Sequence, residues 1–175
     1  MKTYLLAMAI AVALGATVPA CAQSAGASPQ TVVLVDSGDK VVARPLNDTI
    51  MLITVSPEVV APAFIRPIYD ADERTASGLA TWASGGSVLF TSADCSTGAH
   101  IHTLTNAGLR ATSQVETAGG TMLYVGAIGT PVTAVIHSIL YRTGCSVVTV
   151  RQNGLVPVDA AVNLTTTYPP PLSFQ

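Results

Sequence analysis

Three histidines are the side chains of this sequence best suited to binding a metal ion. His100 and His102 are separated by one residue, and alternate residues of a β-strand point to the same face, so both imidazoles could contact one ion. His137 lies in another predicted strand and could supply a third ligand. The same spacing suits an amphipathic strand that buries Ile101 between two solvent-facing polar residues. We favour that simpler interpretation, so the sequence predicts no bound metal and no cofactor.

Two further motifs contain suitable residues without the surroundings of a known site. Asp70, Asp72 and Glu73 offer carboxylates to Ca²⁺, but the glycine and the distal glutamate of an EF-hand loop do not follow. Residues Ser37 to Lys40 match Ser-x-x-Lys, yet the companion Ser-Asp-Asn and Lys-Thr-Gly motifs are missing from the sequence. We interpret the first motif as a solvated loop and the second as a hairpin turn. The sequence therefore predicts a protein that is not an enzyme.

Cysteine usage points to a disulfide bond. Of the three cysteines, Cys21 lies near the apolar N-terminus, which leaves Cys95 and Cys145 as a pair. Each lies at the end of a predicted strand, and an even pair in an oxidising compartment is typical of a disulfide. Two separate buried thiols are the alternative. A Cys95–Cys145 bond predicts Cα atoms about 4.4–6.8 Å apart.

The N-terminus has the pattern of a signal peptide. Lys2 precedes an uncharged apolar run from Tyr4 to Ala16, and Ala20 and Ala22 fit the small-x-small cleavage pattern. We therefore predict a signal peptide over residues 1–22 and export to the periplasm or the extracellular space. The alternative is a lipoprotein, in which Cys21 is acylated and holds the domain at a membrane.

Charge and composition narrow the possible partners. The chain has 8 Lys and Arg against 10 Asp and Glu, without a basic cluster, which argues against nucleic-acid binding. Charged residues make up 10% of the chain, compared with about 25% in average proteins. Such a neutral surface suits a stable exported β protein or one that buries surface in an assembly. The predicted partners are therefore another copy of the chain or another surface protein, and a membrane only if Cys21 is lipidated.

The remaining chain has the periodicity of an all-β protein. Residues 23–30 are small and polar and predict a flexible lead-in, and residues 31–175 predict one β-rich domain. About eight to ten short strands with frequent turn residues favour a sandwich or a barrel-like fold with one disulfide. Pro62 and Pro67 predict that the extended segment from Val59 to Tyr69 is irregular or at a sheet edge. The polar stretch from Asn106 to Gly120 is predicted to be mostly loop.

Several segments resemble a group of uncharacterised exported bacterial β-rich proteins. They are LFTSADC (Leu89 to Cys95), MLYV (Met122 to Val125), the Gly144-Cys145 pair and the closing VPVDAAVNL and YPPPLSF stretches. The opening TVVLVDSGDKVV is similar to the first hairpin of that group. The resemblance implies a β-rich domain, sometimes found at the end of surface or phage-like fibres. It supplies no catalytic residues.

The sequence thus favours an exported structural or protein-interaction domain without enzymatic activity. The alternative is a periplasmic ligand- or metal-binding module that uses His100 and His102. The strands between Thr31 and Val55 are apolar on both alternating faces, which a half-exposed sheet does not require. We expect this segment to be interior or to form an intermolecular interface.

Overall fold

A computed structural model describes residues 32–71, 76–103 and 108–175 of the chain. These residues belong to one compact unit, Thr31–Gln175. They form twelve β-strands and one short helix, arranged in a closed barrel and a second, six-stranded sheet. The predicted all-β, barrel-like class is confirmed, with more strands than the eight to ten expected.

The closed barrel contains the first five strands and the last one. Its strands follow the order β1-β12-β5-β4-β3-β2, and β2 pairs with β1 to close the ring. All of the pairings are antiparallel. The barrel strands are β1 (Leu34–Val35), β2 (Val41–Pro45), β3 (Ile50–Ser56), β4 (Val59–Tyr69), β5 (Ala76–Trp82) and β12 (Leu172–Phe174).

The second sheet contains the middle of the chain, in the order β10-β6-β7-β11-β9-β8. Strand β11 has 20 residues: its first part pairs with β10, its middle with β7 and its last part with β9. The helix α1 (Leu164–Thr167) follows β11, and the Asn163 side chain caps its N-terminus. The strands are β6 (Val88–Phe90), β7 (Ala99–His102), β8 (Thr112–Thr117), β9 (Gly120–Gly126), β10 (Val132–Tyr141) and β11 (Gly144–Asn163).

The two sheets share one hydrophobic core. Met51, Ile53 and Trp82 of the barrel are buried together with Leu123 of β9 and Leu164 of α1. The Trp82 indole N–H donates a hydrogen bond to the Tyr168 carbonyl oxygen at 3.0 Å, which satisfies the one polar group of this buried ring. Smaller clusters on the two faces of the second sheet complete the interior.

Two of the strands differ from what the sequence pattern predicts. The stretch Asn106–Gly120 was expected to be mostly loop, but it contains β8, whose inward positions include the buried polar residues Thr112 and Gln114. Polar residues at inward positions remove the alternation that normally identifies a strand. The pair Asn153-Gly154 is typical of a turn between strands, yet β11 continues through both. Gly154 takes a φ of +70° there, near the point where β11 changes partner from β10 to β7.

The prolines of β4 lie in a continuous strand. Residues Val59–Phe64 pair with β3, whereas Ile65–Tyr69 pair with β5. Each proline therefore lies in a half of β4 that pairs with only one neighbour among the described strands: Pro62 in the half beside β3, and Pro67 in the half beside β5. Because proline has no N–H to donate, this placement explains how an 11-residue strand tolerates both.

Candidate functional site

The predicted disulfide is present and fastens a loop to the tip of a hairpin. Cys95 lies between β6 and β7, and Cys145 lies at the start of β11. Their Cα atoms are 5.9 Å apart, within the predicted range. The Ser138 hydroxyl of β10 strengthens the same junction, because it accepts a hydrogen bond from the Cys95 N–H at 2.9 Å and donates one to the Ser92 carbonyl oxygen at 2.6 Å. The loop and the hairpin are thus joined covalently and by hydrogen bonds.

Asp94 organises this disulfide loop. Its carboxylate accepts hydrogen bonds from the Ser96 hydroxyl at 2.6 Å and from the Ser96 N–H at 3.2 Å. Hydrogen bonds from the Ser96 and Ser92 hydroxyls lower the pKa of Asp94 below its ordinary value of 3.8, because they favour the ionised form. The carboxylate is exposed to solvent, so its role is to hold the turn.

The three histidines do not assemble into a metal centre in the part of the chain that the structure describes. His100 and His102 lie on β7, and His137 lies on β10. The His100 Nδ1–H donates to the Gly98 carbonyl oxygen at 2.8 Å. Among residues 32–71, 76–103 and 108–175, no group of three His, Cys, Asp or Glu side chains is placed to hold a metal ion. Nothing in this geometry favours the metal-binding alternative.

The other candidate motifs are explained by local structure where they are described. Asp36, just before Ser37, accepts hydrogen bonds on Oδ1 from the N–H groups of Gly38 and Lys40, which closes the predicted turn. The Lys40 ammonium lies 4.7 Å from the centre of the Tyr168 ring, a cation–π contact. Of the acidic loop, Asp72 and Glu73 lie outside the described residues, as does Cys21.

A shallow depression of about 330 Å³ lies between the barrel and the second sheet. Phe64, Gly85, Gly86 and Gln114 contribute to its lining. The Gln114 side chain donates to the carbonyl oxygens of Phe64 and Ala83, at 3.0 and 2.9 Å, and accepts from the Phe64 N–H. The Gln114 amide therefore joins the two sheets, and the hydrogen bonds that it makes are to backbone groups of the protein itself.

One polar atom beside this depression has no hydrogen-bond partner among the described residues. The Thr112 hydroxyl is buried without a hydrogen bond among the described residues. The neighbouring Ser113 hydroxyl donates to the Ser87 carbonyl oxygen at 2.8 Å. Since the atom of Thr112 is shielded from solvent and the other polar side chains face the protein, the depression lacks the convergent polar groups of a catalytic pocket.

Exposed apolar side chains concentrate on the hairpin formed by β10 and β11. Among the described residues, thirteen large hydrophobic side chains are exposed, and six of them fall between Ile128 and Val150. We refer to these six as the hairpin surface: Ile128, Val132, Val135, Tyr141, Val147 and Val150. Val147 has 74% of its surface exposed and Ile128 has 86%. Ile128 lies before β10, and Val132 and Val135, three residues apart on β10, point to opposite faces of the hairpin.

The strands between Thr31 and Val55 are expected from the sequence to be interior or to form an intermolecular interface. In the segment between Thr31 and Val55, residues such as Leu34, Met51 and Ile53 belong to the barrel core, although Val41 is 59% exposed. The same criterion, apolar residues on both alternating faces, applies equally to VTAVIHSILY and SVVTV of the hairpin. Apolar residues on both faces therefore do not by themselves distinguish a buried strand from an exposed one.

Among the described residues, no strand pairs with one side of β11 over most of its first half. Residues Gly144–Leu155 pair with β10 on one side, and the opposite side is paired with β7 only from Leu155 onward. The Gly154 carbonyl oxygen accepts from the Thr103 N–H at 3.0 Å. Among the described residues, no backbone hydrogen bond is made on the outward side from Cys145 to Asn153. Residues 104–107, which follow Thr103 in the chain, lie outside the described residues. We call this side the free edge.

No family model, curated protein or solved structure matches the chain. No helix among the described residues has the length and apolar character needed to cross a bilayer. The hairpin surface and the free edge are therefore identified by their geometry alone.

Proposed function

We propose that this protein is an exported, non-enzymatic interaction domain that binds another protein through the hairpin surface. The observation that carries the proposal is the concentration of six exposed apolar side chains between Ile128 and Val150. Full burial of one valine or tyrosine-sized apolar side chain contributes about 1.5–3 kcal/mol. A partner that covers the exposed apolar side chains on one face of the hairpin would therefore release a substantial hydrophobic free energy.

The charge of the hairpin supports the same function. Between Val132 and Arg151 the only charged residues are Arg142 and Arg151. Arg142 lies in the turn and its Nε is 2.9 Å from a Glu116 carboxylate oxygen. The strands on either side of the turn are otherwise neutral, so a partner does not need to desolvate charges at the centre of the contact.

The polar groups of the molecule support a binding role over catalysis. Gln114 bridges the sheets, Asp94 holds the disulfide loop and Lys40 contacts Tyr168. Each of these groups is engaged in maintaining the fold. Export is supported by the predicted signal peptide and by the Cys95–Cys145 disulfide, because structural disulfides belong to oxidising compartments.

Site-specific photo-crosslinking tests the proposal. A photoreactive amino acid replaces Val147 on the hairpin surface, or Val41 on the barrel as a matched control with similar exposure, and the full chain is produced in an exporting bacterium. We expect a crosslinked protein adduct from position 147 and none from position 41. Lack of any adduct at 147, or equal adducts at both positions, would contradict the proposed function.

A further inference from the structure

The sequence contains two Asn-x-Thr triplets, at residues 47–49 (Asn-Asp-Thr) and at residues 163–165 (Asn-Leu-Thr). Neither triplet has proline at its middle position. In an exported protein, Asn-x-Ser or Asn-x-Thr is the acceptor sequence for an N-linked saccharide when it lies in a surface segment. Whether either triplet is an acceptor in the folded protein therefore depends on its surroundings.

The first triplet forms the turn between β2 and β3, and all three of its residues are exposed to solvent. The Asn47 side chain closes this turn. Its Oδ1 accepts hydrogen bonds from the Thr49 N–H at 2.9 Å, from the Thr49 hydroxyl at 3.1 Å and from the Ile50 N–H at 2.7 Å. This is an Asx-type turn, in which the side-chain oxygen bonds to the backbone two residues further along the chain.

The nitrogen of the same amide is not used by the turn. The hydrogen bonds of the Asn47 side chain to described residues all end on Oδ1. A sugar attached to Nδ2 replaces one amide hydrogen and leaves each of these bonds in place. The turn, and the pairing of β2 with β3 that it joins, is therefore compatible with modification of the folded protein.

The second triplet is packed into the protein. Asn163 caps α1, with its Oδ1 accepting from the Thr166 N–H at 3.0 Å and its Nδ2 donating to the Gly119 carbonyl oxygen at 2.9 Å. Leu164 at the middle position is fully buried, and the Thr165 hydroxyl accepts a hydrogen bond from a β9 backbone N–H at 2.9 Å. A transferase therefore reaches this triplet only after α1 separates from β9.

We propose that Asn47 is the site at which the folded, exported protein carries an N-linked saccharide. The proposal rests on the export that the proposed function includes, and it concerns a different part of the surface from the hairpin surface. In the transfer, a bond forms between Asn47 Nδ2 and the anomeric carbon of the sugar, and the bond from that carbon to a polyprenyl-diphosphate donor breaks. One Nδ2 proton is released, and the lipid diphosphate is the leaving group.

A saccharide at this turn suits the surface around it. Leu46, next to Asn47, leaves 50% of its surface exposed, and only 10% of the residues of the chain are charged. A saccharide is bulky and solubilising, so it covers this apolar side chain and adds polarity where charges are few. It also keeps a protein partner from packing against the β2–β3 turn, which leaves the hairpin surface available for that contact.

Enzymatic transfer to the purified mature protein tests the geometry. The folded protein, with its disulfide intact, is incubated with an oligosaccharyl transferase and a polyprenyl-diphosphate oligosaccharide, and peptide mapping by mass spectrometry reads Asn47 and Asn163 separately. We expect transfer to Asn47 alone in the folded protein and to both asparagines in peptides released by proteolysis. Absence of transfer to Asn47, or equal transfer to the two sites in the folded protein, would overturn the proposal.

Two substitutions of one exposed residue provide matched variants. Thr49→Ser keeps the hydroxyl of the triplet and should retain the transfer, whereas Thr49→Val removes only the hydroxyl and should lose it. Circular dichroism checks that both variants are folded. Equal transfer to the two variants would show that the triplet is not what the enzyme recognises.

Peptide mapping of the protein isolated from the cells that naturally export it tests whether the site is used. We expect the mass of a saccharide on the peptide that contains Asn47, and its loss in Asn47→Gln. An unmodified Asn47 in protein whose leader has been removed overturns the proposal and leaves export in place. An uncleaved leader contradicts the export on which both proposals depend.

Discussion

In strand β3 of the barrel, Met51 and Ile53 are fully buried, whereas in β11 of the hairpin Val147 leaves 74% of its surface exposed. Both strands are rich in apolar and β-branched residues. In the barrel, neighbouring strands close on each other and Leu123 of β9 adds to the interior. In the hairpin, β11 pairs on one side only until Leu155 among the strands that the structure describes. The number of available neighbours, and not the composition of the strand, therefore decides which apolar residues form a core and which remain for a partner.

The largest effect we expect comes from removing the Cys95–Cys145 disulfide bond, which joins the hairpin of β10 and β11 to the loop between β6 and β7. The barrel strands contain no cysteine. Cys95→Ser with Cys145→Ser opens a loop whose ends are 50 residues apart, which should lower the free energy of unfolding by about 4 kcal/mol on the chain-entropy model. Urea denaturation measures the change, and far-ultraviolet circular dichroism checks that the β fold persists. An unchanged midpoint would show that the disulfide does not stabilise the hairpin region.

The next prediction compares one residue from each region. Ile53→Ala removes a fully buried side chain from the barrel core, and we expect a loss of about 2–5 kcal/mol. Val147→Ala removes an exposed side chain, and the unfolding free energy of the monomer should change by less than about 0.5 kcal/mol. Both are measured at low protein concentration by chemical denaturation. Similar losses of unfolding free energy from both variants would contradict the distinction between the buried barrel core and the exposed hairpin.

A third prediction concerns the contact between the two sheets. Gln114→Leu leaves the Phe64 and Ala83 backbone groups without their hydrogen bonds, and we expect a loss of about 2–3 kcal/mol because these groups are partly buried. Ser84→Ala, which removes an exposed hydrogen bond to Glu116, is the matched control and should have little effect. Thermal unfolding gives the midpoint of each variant. Equal midpoints would show that the Gln114 side chain does not stabilise the contact between the two sheets.

The smallest effect should come from Asp94. Its pKa is lowered in the folded protein, chiefly by the Ser96 hydroxyl, so its contribution is present above the unfolded-state pKa and is lost as the pH falls through the folded-state value. Asp94→Asn should therefore slightly lower the thermal midpoint at pH 7 and make no difference at a pH well below 3.8. A constant difference between the variant and the wild type across this range would show that ionisation of Asp94 is not responsible.

Sequence patterns were sufficient where a residue type determines local structure. The β class followed from period-two apolar runs, and the pairing of Cys95 with Cys145 followed from parity and from their positions at strand ends. They were insufficient for β8, because Gln114 points inward and bonds to the barrel through contacts 50 residues away in sequence. Local periodicity contains no information about such a partner.

The candidate site was harder to predict for the same reason. His100 and His102 share a strand as the spacing predicts, but the position of His137 depends on how the second sheet curves. The exposure of Val147 depends on β11 passing from β10 to β7 and β9 along 20 residues. The sequence identifies the apolar residues, but the topology determines which of them are exposed.

Hydrogen exchange in the purified protein tests most directly whether β11 has a free edge where β3 has none. In an edge strand, alternate N–H groups point away from the paired neighbour. From Ser146 to Val150, we predict that the outward N–H groups exchange rapidly, while the amides of β3, which pairs with β2 and β4, exchange slowly. Protection of these outward groups as strong as that of the β3 amides would contradict the account.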